Sequence, residues 1–510
     1  MFSRRARLSI GMLVLLGCKP GVGGGVDEVG DASGTASDAS GDGATTPNDT
    51  SGDGDATTTN DTSDTSDTSD TSTTGDGDGD ACGGTVTTFE TGKTPSAELH
   101  VRSSGSDVEG CGAPESACAT LEYAAGLATP GSAVVIHEGT YAGGGWIADL
   151  SGSVDAPIWI GGAAGEARPV IEGGGQAFQL SRARYVIVHD LEVRNTTDNG
   201  INADDGADYA NPEAARGLVF RNLWIHDVGA GGNQDCLKLS GLNDYWVLDS
   251  EFERCGGGSS GSAIDHVGCH GGLIHANHFH DLAGAGNAVQ CKGGSQDIEI
   301  RANLFEDPGE RGVNMGGSTG FEFFRPPLSA SEPNVEARDI RVIANVFRGG
   351  VTPFAFVGCV DCLAAHNTIV DPQNWVFRIL QETTTTPEYE FLPAGQSRFV
   401  GNIVYFDGAI GTAVNVGVDT DPGSFTIADN LWYRHDDPGQ SDPPGGLPVA
   451  EQDGIVGQDP SFVDAAAGDF HLAPGSPALG AGSPLAELTA DMDGVCYATP
   501  PSLGAHESAP

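Results

Sequence analysis

Residues 287–303 read NAVQCKGGSQDIEIRAN: a short apolar-alternating run, a corner at Gly293-Gly294, a second alternating run and a closing asparagine, Asn303. Alternation with period two on both sides of a Gly-Gly pair is the pattern of two strands joined at a tight corner. The outline recurs along the chain. Short runs end in Asn or Asp followed by an apolar-any-apolar triplet at Asn222, Asp249, Asn277, Asn303, Asn345, Asn367, Asn402 and Asn430. The steps between these positions are 27, 28, 26, 42, 22, 35 and 28 residues, a base period in the twenties with insertions. A coil of that length makes about three strands and three corners, and coils stack ~4.8 Å apart. The repeat therefore predicts an all-β solenoid, a parallel β-helix, with the asparagines as a ladder of stacked amides at one corner.

The flanks fit a solenoid that needs covered ends. Leu99–Val101 predicts a first strand, and Leu121–Ala128 a short helix N-capped by Thr120 and stopped by Pro130-Gly131. The far end, from Asp459 through DMDGVCYATPPSLGAHE (residues 491–507), is Pro- and Gly-punctuated and short-stranded. Over residues 97–507 this resembles the secreted right-handed parallel β-helix proteins of the pectate-lyase-like superfamily. The resemblance implies the fold and leaves the reaction open, because lyases, hydrolases, epimerases and adhesins share it. The long steps place insertions at residues 319–335, which include FEFFRPP, and at 381–396. Such insertions gather on one face, often the binding face.

Before the repeat, the composition changes. Arg4, Arg5 and Arg7 precede an apolar run, Leu8–Leu16, too short to span a bilayer. The run ends in Leu-Leu-Gly-Cys, which resembles the lipobox of bacterial lipoproteins. The resemblance implies a signal peptide over 1–18, lipidation of Cys18, and export to the outer membrane or cell surface, held there by the lipid alone. Residues 19–80 are Gly, Asp, Thr and Ser; 15 carboxylates and no arginine fall after Lys19. Such a stretch cannot bury enough apolar surface to offset its ordering entropy, so it is expected to be a disordered tether with a reach of ~40 Å. The whole chain carries a formal charge of −47, and the part from Ala81 onward still carries −36. That excludes nucleic acid as a natural partner. A polysaccharide is the expected partner, and a monomer the expected state.

Of the 11 cysteines, ten remain once Cys18 is set aside, an even count that favours disulfides in an exported chain. Cys111 with Cys118 and Cys359 with Cys362 are local pairs; Cys236, Cys255, Cys269 and Cys291 pair among themselves in an order the sequence leaves open. Zinc is the alternative, because His266, His270, His275, His278 and His280 crowd around Cys269.

Chemistry is expected where basic residues align. Lys238, His266 and Lys292 each lie 11 residues before the asparagine or aspartate that closes their coil, so they are expected in one column ~5 Å apart. Stacked cations need carboxylates or an anionic ligand, and Asp235 and Asp265 are near enough to compensate. One reading is a satisfied surface ion-pair ladder. The other is β-elimination on a uronate polysaccharide, which needs a proton acceptor and fixed positive charge for the developing enolate. AVQCKGGSQDIEIRANLF is similar to the IxxKS…N-T-F coil of alginate-lyase- and chondroitinase-B-type lyases, which implies Lys292 as the catalytic lysine. Those families carry an arginine in an Arg-His-Gly run on the next coil; here that coil reads GERGVNMGGSTG, and Arg311 is the nearest arginine. Lys238, His266, Lys292 and Arg311 are thus the catalytic candidates, with Asp235, Asp265, Phe323, Phe324 and Arg325 as substrate-binding candidates. Calcium is the cofactor the residues suggest, through Asp204, Asp205 and Asp208 or as a bridge to a substrate carboxylate. Two alternatives stand beside the lyase: a glycoside hydrolase using Asp235 and Asp265, since AIDHVGCHGG faintly resembles polygalacturonases, and a non-catalytic glycan-binding adhesin. An enzyme predicts the four basic residues converging in a cleft under the 319–335 insertion, and an adhesin a flat face with each one paired.

Overall fold

The computed structural model describes Cys82 and residues 85–229, 234–256, 260–282 and 286–508. The expectations for the signal peptide, Cys18 and the tether over 19–80 lie outside these residues. Among the described residues no helix is long and apolar enough to cross a membrane.

The chain winds as a right-handed parallel β-helix of three long sheets, with 13, 10 and 12 strands among the described residues. Each coil contributes one strand to each sheet, and nearly every pairing is parallel and in register. Odd and even positions alternate between a continuous apolar interior and the outside. Inside, Phe252, Phe279, Phe305 and Phe347 stack from coil to coil with ring centroids 5.1, 4.7 and 4.4 Å apart. These are the apolar residues two places after each ladder position.

The asparagine ladder is present, with a correction to its membership. The Asn303 side-chain oxygen accepts from the backbone and side-chain nitrogens of Asn277, and Asn345 does the same for Asn303, at 2.9–3.0 Å. Asn367, Asn402 and Asn430 continue the pattern, and half-buried Glu451 closes it by accepting from both Asn430 nitrogens. Below Asn277 the ladder residue is Ser250, whose backbone N–H donates to the Asn277 side-chain oxygen at 3.0 Å. Asp249 and Asn222 instead hold the preceding left-handed position (φ 49° and 51°), equivalent to Ala276 and Ala302. Asp and Asn tolerate that conformation better than most residues, which makes their one-place offset easy to misread.

The N-terminal end is covered as expected. The helix Leu121–Leu127 is N-capped by Thr120 and buries Leu121, Ala124 and Ala125 over the first coil. Order also extends before residue 97: Phe89 packs on Tyr185 and Trp246, and buried Glu90 pairs with Arg221. At the other end, an antiparallel hairpin (Phe462–Asp464 with Asp469–Leu472) and the closing stretch lie against the outside of the coils. Leu485, Leu488 and Tyr497 cover Ile343, Leu363 and Val400 there. Cys111–Cys118 and Cys359–Cys362 form the expected disulfides. Of the group of four, Cys236 pairs with Cys255, while Cys269 and Cys291 remain free and buried. A fourth bridge, Cys82–Cys496, spans 414 residues.

Candidate active site

The outward face of the ten-stranded sheet carries the charge that the sequence singles out. Three consecutive strands build it: Leu237–Ser240, Ser262–Val267 and Asn287–Lys292. Lys238 stands level with Asp265, and Asp265 with Gln290. His266 stands level with Leu239 and Cys291, one place along, and therefore points inward. The expected column of three cations is thus corrected. Two local causes produce the slip. The ladder residue below Asn277 is Ser250 rather than Asp249, so both Lys238 and Asp265 sit 12 places before their ladder residues. On the next coil, Gly293-Gly294 adds one residue to the corner, so that Cys269 meets Ser295 and Gln290 replaces a cation in the column.

Alternation replaces repulsion. Lys238 Nζ bonds Asp265 Oδ2 and lies 3.2 Å from Asp235 Oδ2, while Lys292 Nζ lies 3.5 Å from the same Asp265 oxygen. Both aspartates are 1% exposed. Burial pushes the Asp235 carboxyl up to about 6, with Lys238 opposing and Asp265 adding to the shift. Burial acts the same way on Asp265, but Lys238 and Lys292 outweigh it and hold that carboxyl below its ordinary value. Burial would lower the Lys238 pKa; the two carboxylates overcome it and keep the ammonium charged well above the ordinary lysine range. Lys292 is held more loosely, its second contact being Gln290 Oε1, also at 3.5 Å.

The remaining catalytic candidates fare differently. His266 is fully buried, its Nδ1–H donating to the Gln290 carbonyl at 2.8 Å, and burial lowers its pKa to about 4. It is a neutral interior residue beside Tyr245, with no route to a substrate on the outer face. Arg311 lies one coil beyond Lys292, where its guanidinium bonds Glu382 at 2.7 Å and Asn314 at 3.2 Å. The histidines crowded around Cys269 in sequence are dispersed: His270 and His275 lie on the thirteen-stranded sheet, and His278 and His280 on the twelve-stranded one.

Both insertions lie beside this face and are tied to it by Glu336, which the sequence did not single out. This buried carboxylate accepts from Gly293 N (2.8 Å) at the Lys292 corner, from Thr319 N (3.0 Å) and Oγ1 (2.8 Å), and from Thr383 Oγ1. Burial raises its pKa despite those donors. Phe324 is buried against Phe391 of the second insertion, and Arg325 reaches Asp205 at 2.7 Å while stacking over Tyr209. These two expected substrate contacts are therefore pins that hold the insertion down. Phe323 is 41% exposed and remains available. On another face, an open depression of about 220 Å³ lined by Glu213, Arg216, Asp244, His270 and Asp297 lies on the thirteen-stranded sheet.

The carboxylates expected to hold calcium already have partners within the protein. Asp205 is engaged by Arg325, Asp204 accepts from Gln179 and Ser181, and Asp208 accepts from Asn211. Between Asp235 and Asp265 the Lys238 ammonium already stands.

No protein-family profile matches the sequence, and no curated protein matches it. Solved structures do match in fold. Pectate lyase Pel9A aligns with a TM-score of 0.53 at 15% identity, over 82% of this chain and 98% of that one. An alginate lyase from Paenibacillus sp. str. FPU-7 aligns with a TM-score of 0.42 at 16% identity, over 60% and 95%. XylC, solved in complex with xylose, aligns at 0.46 and 12%, over 72% and 87%. The first of these shows that the fold is that of the pectate-lyase-like right-handed parallel β-helices. At such identities the likeness is one of fold alone.

Proposed function

We propose that this chain acts on an acidic polysaccharide by β-elimination at the lysine face, with Lys292 as the proton acceptor and Lys238 as the fixed positive charge. The observation that carries the reading is the different hold on the two lysines. Lys238 is locked between buried Asp235 and Asp265 and kept protonated, which suits stabilisation of a developing enolate and rules it out as a base. Lys292 is 13% exposed at its side chain, and its two contacts at 3.5 Å are readily exchanged for a substrate. In the step, Lys292 Nζ, as the neutral amine after giving one proton to solvent, takes the proton from the carbon beside the uronate carboxyl. The freed pair forms the carbon–carbon double bond as the bond to the glycosidic oxygen breaks, and water protonates the departing oxygen. Arg311 and Phe323 flank this face as substrate contacts. The fold's recurrence in a pectate lyase supports the substrate class. Because Lys238 stands where a cation would be held, the reaction is proposed to run without calcium.

The leader and the acidic stretch extend the proposal to location: export, lipidation at Cys18, and a monomer displayed on a tether. The hydrolase reading is weaker, because both aspartates are buried beneath Lys238 and offer no oxygen to a glycosidic bond.

The test is ultraviolet absorbance of unsaturated products over a panel of uronate polymers, with and without a chelator. The wild-type chain is expected to form them with chelator present, and Lys292→Ala to lose ~10³-fold in rate. Absence of unsaturated product from every polymer sinks the lyase reading. A polymer that binds in a Lys292-dependent way without being cleaved makes the face a binding surface, which the pairing of Arg311 with Glu382 would suit.

A further inference from the structure

Away from the lysine face, the C-terminal segment brings a second set of chemistry-bearing side chains together. His471 comes from the strand Asp469–Leu472 of the terminal hairpin, and Asp493 and His506 from the closing stretch that packs beside it. Both histidines aim at one oxygen. His471 Nε2 is 2.9 Å and His506 Nδ1 2.8 Å from Asp493 Oδ2, and the two rings lie 4.2 Å apart, centroid to centroid. One ligand atom from each of the three residues lies within 4.8 Å of the others.

Hydrogen bonding within the protein does not satisfy this arrangement when the imidazoles are neutral. The other nitrogen of His471, Nδ1, lies 2.6 Å from Asp469 Oδ1, so both nitrogens of one ring face carboxylate oxygens. A carboxylate only accepts, and a neutral imidazole has one N–H, so one lone pair is left pointing at an oxygen. A proton on His471, held between two carboxylates, satisfies both contacts of that ring. A divalent metal ion satisfies them as well, and also engages His506. It takes Nε2 of His471, Nδ1 of His506 and an oxygen of Asp493, while Nδ1–H of His471 donates to Asp469. A carboxylate behind a ligating histidine is the usual support for such a ring.

The spacing agrees. Ligands ~2.0 Å from a tetrahedral ion are ~3.3 Å from one another, so the two His–Asp separations of 2.9 and 2.8 Å need to open by about half an ångström, and the two imidazole nitrogens already lie within 4.8 Å of each other. Asp493 and His471, with side chains 46% and 50% exposed, are free to do so, whereas His506 at 8% is held by packing. Two imidazoles and one carboxylate suit zinc, cobalt(II) or nickel, not calcium or magnesium, which take oxygen shells. Three protein ligands leave the fourth position to water.

We infer that His471, Asp493 and His506 form a binding site for a divalent ion of the zinc class, with Asp469 positioning His471. The ion joins the terminal hairpin to the closing stretch, which also carries Cys496. This site is independent of the lysine face.

The full chain, stripped of metal with a chelator and dialysed, is titrated with cobalt(II) by visible absorption and with zinc by calorimetry. One equivalent is expected to bind, with a rise in melting temperature. His471→Ala and Asp493→Asn, chosen because these side chains are half exposed and their loss leaves the fold intact by circular dichroism, are expected to abolish both effects. Asp469→Asn is expected to weaken binding about tenfold. His280→Ala, in the separate cluster with Glu251 and Glu253 on the twelve-stranded sheet, is expected to change nothing. The inference is overturned if the wild-type chain shows no saturable binding, if His471→Ala and Asp493→Asn bind as wild type does, or if only His280→Ala removes binding.

Discussion

Two polar stacks run along this solenoid, and they are built on opposite rules. The ladder from Asn277 to Asn430 repeats one residue, and each amide both donates and accepts, so every member satisfies the next. The stack on the ten-stranded sheet, by contrast, alternates: Asp235, Lys238, Asp265 and Lys292 each depend on a partner of the other sign. A ladder of amides extends over any number of coils without a change of residue. A ladder of charges has to begin and end, and at its end one member is incompletely held. That member is Lys292, the residue to which the proposed chemistry is assigned.

Removing a partner should hurt the charged stack most. Asp265→Ala leaves Lys238 with one carboxylate and Lys292 with none, an expected loss of about 3–5 kcal/mol in urea unfolding; a change under 1 kcal/mol would mean the buried pair is not a structural element. Asn345→Ala withdraws the acceptor for two Asn303 nitrogens and the donor for two backbone carbonyls. Its expected cost is about 2–3 kcal/mol, with the fold retained. Asp235 separates the stacks by pH. Its carboxyl is raised from an ordinary 3.8 to about 6 in the folded chain, so its contribution to stability is full below about 3.8 and is lost as pH rises through about 6. Asp235→Asn should therefore flatten the stability profile between those values relative to wild type, and an unchanged profile would contradict the burial argument. Lys292→Ala should alter stability least, by no more than about 0.5 kcal/mol, while removing the proposed activity. A loss as large as that of Asp265→Ala would make Lys292 a structural residue.

The fold was legible because the ladder imposes its spacing on the sequence. All eight triplets fall on strands of the twelve-stranded sheet, even where Asn222 and Asp249 mark the residue before the ladder position. The site was half legible. Lys238, Lys292, Asp235 and Asp265 do meet, but a one-place offset at Asp249 and an extra corner residue at Gly293-Gly294 exchange His266 for Asp265 on the outer face. In a strand, one place is the difference between solvent and core. Arg325 was misassigned for another reason. Its partner Asp205 lies 120 residues earlier, and no local pattern connects the two. Glu336 left no signal either, since a single glutamate before a strand reads as a solvated residue until two insertions are seen to converge on it.

The bridge between Cys82 and Cys496 makes the β-helix a closed covalent loop. A solenoid held only by neighbouring coils can be peeled from an end, one turn at a time. Here a pull on residue 82 is carried across to residue 496 through the sulfur bond, past every strand between them. Tension arriving along the N-terminal stretch would thus be borne by a covalent strut, and the coils would keep their register under load.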